Sequence, residues 1–212
     1  MRASRWALVL TLAASGCATT LPDQSAALNA ASVCCKGYAD FRYATLQVDK
    51  PQAVTLGPGS PAFEFDTGKS YFFAARLPAY SSPLALNVES QGTIAGEDRT
   101  SVLRPEILIL DQDYQVTRRI PGESFKHTRM SDFVSTVFIN QDNAAEAYVV
   151  VFTRTAGARQ SDTVKRFTPY TFSLGGAPIT LDGTEQTVPL AFGPAGALTI
   201  SLQRYQPQRI SR

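Results

Sequence analysis

The sequence predicts an all-β fold, a two-sheet antiparallel β-sandwich of jelly-roll or Greek-key type, and three observations carry that prediction. Beyond residue 46 short apolar runs are separated by Gly, Pro, Asp and Asn. Several of these runs alternate apolar and polar side chains with the period of two that a half-buried strand requires. No segment there sustains an i, i+3, i+4, i+7 pattern over three turns. Turn residues at hairpin spacing leave room for about ten strands, and two sheets closing on one another hide the apolar side of each.

The chain opens differently. In MRASRWALVLTLAASGC, Arg2 and Arg5 precede an apolar run from Trp6 to Ala14 and then small residues ending at Cys17. This is the layout of a secretory signal, and the apolar run is about half of the ~20 residues that span a bilayer. Ala14-Ser15-Gly16-Cys17 resembles a bacterial lipobox. It predicts a lipoprotein signal over residues 1–16 and lipidation of Cys17 as the new N-terminus; the alternative is an ordinary cleaved signal. Ala18 follows where aspartate would favour inner-membrane retention, so the expected location is the periplasm, with the lipid in the outer membrane. The signal removes two arginines and no acid from a chain of 20 basic and 18 acidic residues, so the mature charge is balanced. Nothing then points to nucleic acid, which calls for a clustered basic face.

Residues 17–45 read as a lipid-anchored tether, with Pro22 and Asp23 able to open a short alanine-rich helix. Residues 46–205 form the predicted sandwich domain. Ser70–Leu77 alternates, with Tyr71, Phe73, Ala75 and Leu77 on one side and Phe72, Ala74 and Arg76 on the other. Leu84, Leu86 and Val88 alternate with Ala85, Asn87 and Glu89, and Leu198, Ile200 and Leu202 with Thr199, Ser201 and Gln203. Each reads as a strand with one face to the core. Ile107–Leu110 and Tyr148–Phe152 are instead apolar on both faces and short, which predicts central strands. Asp111-Gln112-Asp113 punctuates the first of these before Tyr114–Ile120, predicting a hairpin.

Motifs that suggest chemistry have simpler readings. Asp66-Thr67-Gly68 has the residues of an aspartic-protease loop but no second loop to share the proton, and reads as a turn with Gly68 at positive φ. Gly68-Lys69-Ser70 ends like a phosphate loop, yet Phe63 stands where its first glycine belongs. His127 is the sole histidine, in a polar stretch expected to be a loop, and with two adjacent cysteines cannot make the usual zinc set. Asp111 and Asp113 suit a turn better than a calcium site. The prediction is therefore no enzyme, no metal and no cofactor. Sugar binding requires an aromatic face for stacking with polar groups around it. The only tryptophan, Trp6, leaves with the signal. Tyr71, Tyr80, Tyr114 and Tyr205 are the candidates that remain, each equally readable as core or rim.

SPAFEFDTGKSYFFAARLP (60–78), SVLRPEILILDQDY (101–114) and AYVVVFTRT (147–155) together resemble the maltose operon periplasmic protein family, more loosely extended by TVPLAFGPAGALTI (187–200). The resemblance implies an envelope β-protein associated with maltodextrin-type carbohydrate transport. It implies no enzymatic activity and brings no catalytic residues. The expected partners are the outer membrane, through the anchor, and an oligosaccharide or an envelope transport protein. A purely structural protein-interaction module without a sugar ligand is the alternative, and a hydrolase built around His127 the least supported.

Cys34 and Cys35 stand side by side, and only Cys17 accompanies them. An exported protein meets an oxidising compartment. Adjacent α-carbons lie about 3.8 Å apart, below the usual disulfide range, so a bridge between them is distorted. A vicinal disulfide acting as a rigid kink is the favoured reading; free or partner-bonded thiols and a redox pair remain alternatives.

Overall fold

A computed structural model describes residues 21–94, 100–128, 132–154, 161–167, 170–174, 177–181, 183 and 185–205. The predicted signal and Cys17 lie outside these residues. The described chain is mostly β, with one helix of ten residues, α1 (Leu21–Ala30), where Pro22 and Asp23 predict one. The helix is docked: Leu28 is buried in the main core, and the Asn29 carbonyl accepts a hydrogen bond from Lys69 Nζ at 2.9 Å.

The largest sheet has six strands, in the order β1 (Ala44–Thr45), β4 (Gly68–Arg76), β12 (Glu146–Thr153), β8 (Pro105–Asp111) and β9 (Val116–Ile120), with β3 (Ala62–Phe65) also paired to β4. A five-stranded sheet follows the order β10 (Lys126–His127), β11 (Phe133–Ile139), β5 (Leu84–Gln91), β17 (Gly196–Arg204) and β2 (Gln52–Leu56). A third sheet joins β13 (Ser161–Phe167), β16 (Glu185–Gly193), β7 (Thr100–Leu103) and β6 (Thr93–Ile94), and β14 (Tyr170–Leu174) pairs with β15 (Ala177–Leu181).

Two expectations change here. The described residues form four sheets where two were predicted, and β1 on β4 and β7 on β16 are parallel where all pairs were predicted antiparallel. A period of two tells which face a side chain takes, and says nothing of which strand lies alongside or in which direction.

The main core draws on both large sheets. Tyr71, Ala75, Ile107, Ile109, Val149 and Val151 enter it from the six-stranded sheet, and Leu86, Val88, Val137, Ile139, Leu198, Ile200 and Leu202 from the five-stranded one. The six-stranded sheet is apolar on its other face as well, where Phe65, Phe72, Leu108, Leu110, Val150 and Phe152 form a second buried cluster. This accounts for EILILD and YVVVF, whose strands β8 and β12 are central and covered twice. It corrects the half-buried reading of Ser70–Leu77: Phe72 and Ala74 are as enclosed as Tyr71 and Ala75.

The cover comes from residues 33–43, which sequence reading placed in the tether. Val33 bridges to Ala62, the Cys34 amide donates to the Ala62 carbonyl at 2.9 Å, and Phe41 is buried within the second cluster.

Candidate functional site

The covering segment is built locally. The Cys34 and Cys35 sulfurs are bonded, with their α-carbons 3.8 Å apart. The Asp40 carboxylate accepts from the Lys36 and Gly37 amides at 2.9 and 3.2 Å, which fixes the single turn of 3₁₀ helix over Tyr38–Asp40. Phe41 then descends onto the sheet and stacks on Phe72, with centroids 4.1 Å apart. Beside it Phe65 stacks on Phe152 at 3.8 Å. Around them Phe63 meets Phe41 and Phe65 edge-on, each at 5.0 Å, and edge-on pairs of this kind add to simple burial.

On the opposite side, Asp111 Oδ1 accepts from the Asp113 and Gln115 amides at 2.9 and 2.8 Å. This is a side-chain-closed turn, in which aspartate mimics a backbone carbonyl. Tyr114 at its apex has φ 61°, a left-handed conformation that few side chains adopt freely. The turn reading of Asp111 and Asp113 thus accounts for the D-x-D pattern. Among the described residues no group of three or more His, Cys, Asp or Glu is placed to hold a metal ion.

Between the two turns lies a groove of about 510 Å³, lined by Gly37, Tyr38 and Ala39 on one wall and Asp113, Tyr114, Gln115 and Val116 on the other. The volume is within the range of small-molecule sites, roughly 300–1,000 Å³. Behind Tyr114 stand two more tyrosines. Its ring stacks on Tyr148 at 4.8 Å, Tyr148 meets Tyr43 at 4.4 Å, and the Arg76 guanidinium sits 5.4 Å from the Tyr148 centroid. The hydroxyls are tied as well: Tyr148 donates to Tyr114 Oη at 3.4 Å, and Tyr43 donates to the Tyr38 carbonyl at 2.8 Å. Burial, then the neighbouring Tyr114, Tyr148 and Tyr38, hold the Tyr43 phenol well above its ordinary value. The hydrogen bond with Tyr148 raises Tyr114, and burial raises Tyr38. The groove therefore presents neutral phenols, the Gln115 amide and the Asp113 carboxylate, groups that exchange hydrogen bonds with a polar ligand.

The predicted residues fall in separate places. Tyr114 is at the groove. Tyr71 is 1% exposed and packed between the two large sheets, so its ring has no face open to a ligand. Tyr80 is half-buried against the same core. Tyr205 follows the end of β17, its ring 4.8 Å from Phe138. His127 is in strand β10 rather than a loop, exposed, and edge-on to Phe133 at 5.2 Å. Asp66 and Thr67 form the β3–β4 turn, with Gly68 at φ 102° as the sequence predicts. Tyr38, Tyr43 and Tyr148, which complete the groove and its backing, were not singled out from sequence; they stand on three separated segments, and only the crowding of aromatics in GYADFRY hints at two of them.

A family model described as maltose operon periplasmic protein precursor (MalM) matches residues 67–173, just over half of the chain. The chain belongs to the MalM family. The matched span starts at the β3–β4 turn and holds β4, β8, β9 and β12, so one wall of the groove lies in the family region. The other wall, with the cysteine pair, lies before it. No curated protein matches the chain. The family places the chain among periplasmic or envelope proteins with an accessory part in sugar transport systems.

Proposed function

We propose that the chain is a non-enzymatic envelope lipoprotein that assists maltodextrin-type carbohydrate uptake by holding an oligosaccharide in the groove between Tyr38 and Tyr114. The observation that carries this reading is Tyr114: a ring held at positive φ, backed by Tyr148 and Tyr43, and flanked by Asp113 and Gln115. An aromatic face that is already ordered loses little entropy on binding, and the amide and carboxylate beside it suit sugar hydroxyls. In this reading the two large sheets form a sandwich that serves as scaffold, and Cys17 carries the lipid that holds the domain on the periplasmic side of the outer membrane.

Titration calorimetry of the full chain in detergent against maltodextrins of increasing length tests the ligand. Saturable heat, weakened about tenfold in a Tyr114→Ala variant, is expected; a blank panel would sink the sugar reading. For the anchor, Cys17→Ser should release the protein from the membrane fraction, and unchanged partitioning rules the lipid out.

A further inference from the structure

The five-stranded sheet has a face that nothing covers among the described residues. Along β11 the pattern is strict: Phe133, Ser135, Val137 and Ile139 are buried, and Thr136 and Phe138 are exposed. Register carries this outer face across the sheet. Thr136, Asn87 and Ser201 stand abreast, as do Phe138, Ala85 and Gln203 one row further along. In the other direction Glu89 stands beside Thr199, and Gln91 beside Ala197. Neighbouring strands are about 4.8 Å apart and alternate residues about 7 Å, so the face is a regular grid of hydroxyl and amide groups.

One corner is aromatic. Phe138 is 46% exposed and Tyr205 41%, with their rings 4.8 Å apart. Ala85, which points to the same side, is nevertheless 8% exposed because it lies in the Phe138 row. Two neighbouring rings this open give the corner an aromatic face on which a ligand can stack.

We propose that this bare face is a second binding surface, for a neutral polysaccharide chain, with Phe138 and Tyr205 as the stacking platform and Thr136, Asn87, Ser201 and Gln203 as hydrogen-bonding groups. Charge decides between ligand classes. The rows carry one acid, Glu89, and the register places one base, Lys126, two strands away beside Val134. The face is thus neutral overall, which complements a neutral polyol and gives nothing to a phosphate or a polyanion. A protein partner would call for a larger apolar centre than one pair of rings. The grid is partly tied within itself: Thr136 donates to Asn87 Oδ1 at 2.7 Å and Gln91 Nε2 to Thr199 Oγ1 at 3.1 Å, which orders these side chains for a ligand. The surface is independent of the groove, to which β5, β11 and β17 contribute no lining residue.

Affinity electrophoresis of the full chain in native gels containing dextran or a mixed-linkage β-glucan, neither of which is a maltodextrin, tests the proposal. Retardation by at least one of them is expected, with apparent affinity falling about tenfold in F138A/Y205A. Thr136→Val with Gln203→Ala, which keeps both rings, should lose part of the retardation and serves if the aromatic double variant does not fold. Migration unaffected by both polysaccharides overturns the proposal, as does retardation that survives loss of both rings. A photo-crosslinker at position 138 that captures an envelope protein would assign the face to protein docking instead. Loss of maltodextrin binding in the groove with retardation intact would separate failure of the groove reading from failure of this one.

Discussion

The two large sheets each have an outer face, and the two faces are opposites. On the six-stranded sheet it is made of Phe65, Phe72, Leu108, Val150 and Phe152, and residues 33–43 lie over it. On the five-stranded sheet it includes Asn87, Thr136, Thr199, Ser201 and Gln203, and none of the described residues covers it. Both sheets contribute the same kind of inner face to the main core. What separates them is one choice made at every second residue. Apolar side chains on both faces demand a cover, and the chain supplies it from a segment that would otherwise be tether; polar side chains on one face permit water, or a ligand with the hydrogen-bonding habits of water.

The comparison breaks or holds first at its largest expected effect. Phe41 is 5% exposed and stacked on Phe72, whereas Phe138 is 46% exposed. Phe41→Ala should cost about 3–5 kcal/mol in denaturant unfolding, the usual loss for a buried phenylalanine. Phe138→Ala should cost less than about 1 kcal/mol. Equal losses would mean that the bare face is covered in solution.

A buried acid gives the next contrast. Glu106 on β8 is 1% exposed, its Oε2 has no hydrogen-bond partner among the described residues, and the Arg154 Nε is 3.9 Å from Oε1, too far for a hydrogen bond. Burial pushes its carboxyl above the ordinary range, against the pull of Arg119 and Arg154 and with the help of Glu123 and Asp66. A raised folded-state value means that the folded state holds the proton more tightly. This contribution is therefore fully present below the unfolded carboxyl value and lost as pH rises through the folded one. Glu106→Gln should then raise the neutral-pH stability by about 1 kcal/mol, or a Tm rise of about 2–4 °C, with no gain at acid pH. Glu89→Gln on the bare face should stay within about 0.5 kcal/mol. Thermal scans at several pH values decide, and a Glu106→Gln gain that persists in acid would show the carboxyl to be charged throughout.

The legible parts of this molecule are those that a period of two can carry. EILILD and YVVVF are apolar on both faces and are central strands; Leu84–Val88 and Leu198–Leu202 alternate and line the core from one side; Asp66-Thr67-Gly68 and Asp111–Asp113 are turns. Less legible is anything that depends on which distant segments meet. VCCKGYADF reads as a linker because it has no strand period, yet it packs by single aromatics dropped onto a sheet whose strands come much later. The groove suffered most: Tyr114 stood out, but Tyr148 looks like any strand residue until β12 is set beside β8 and the two rings stack. Tyr71 shows the reverse error, since an aromatic on a strand gives no sign of whether its face is turned to core or to water.

The disulfide sits in the cover itself, and its effect on global stability should be smaller than its position suggests. A bridge between neighbouring residues closes almost no loop, so the unfolded chain loses little freedom, about 1 kcal/mol or less. C34S/C35S should therefore unfold within about 1 kcal/mol of the unsubstituted chain, while hydrogen exchange at the Gly37 and Lys36 amides quickens. A large global loss would show that the cover and both sheets unfold as one unit with the cystine as an essential part.

The smallest effect belongs to the margin of the cover, where Arg119 Nη2 on β9 meets both oxygens of Asp66 at 2.7 and 2.8 Å, beside Tyr38. The hydrogen bond from Arg119 holds the Asp66 carboxyl below its ordinary value, so this contribution is present above the unfolded carboxyl value and fades as pH falls through the folded one. Asp66 is 61% exposed on its side chain, so water and salt screen the pair and it is worth about 0.5 kcal/mol or less. Asp66→Asn should cost that amount in low salt and nothing measurable near 1 M, where the screening length is about 3 Å. A loss several times larger that survives salt would mean that the pair locks β9 and the β3–β4 turn under the edge of the cover, and that the covered face owes its closure to charge as well as to aromatic packing.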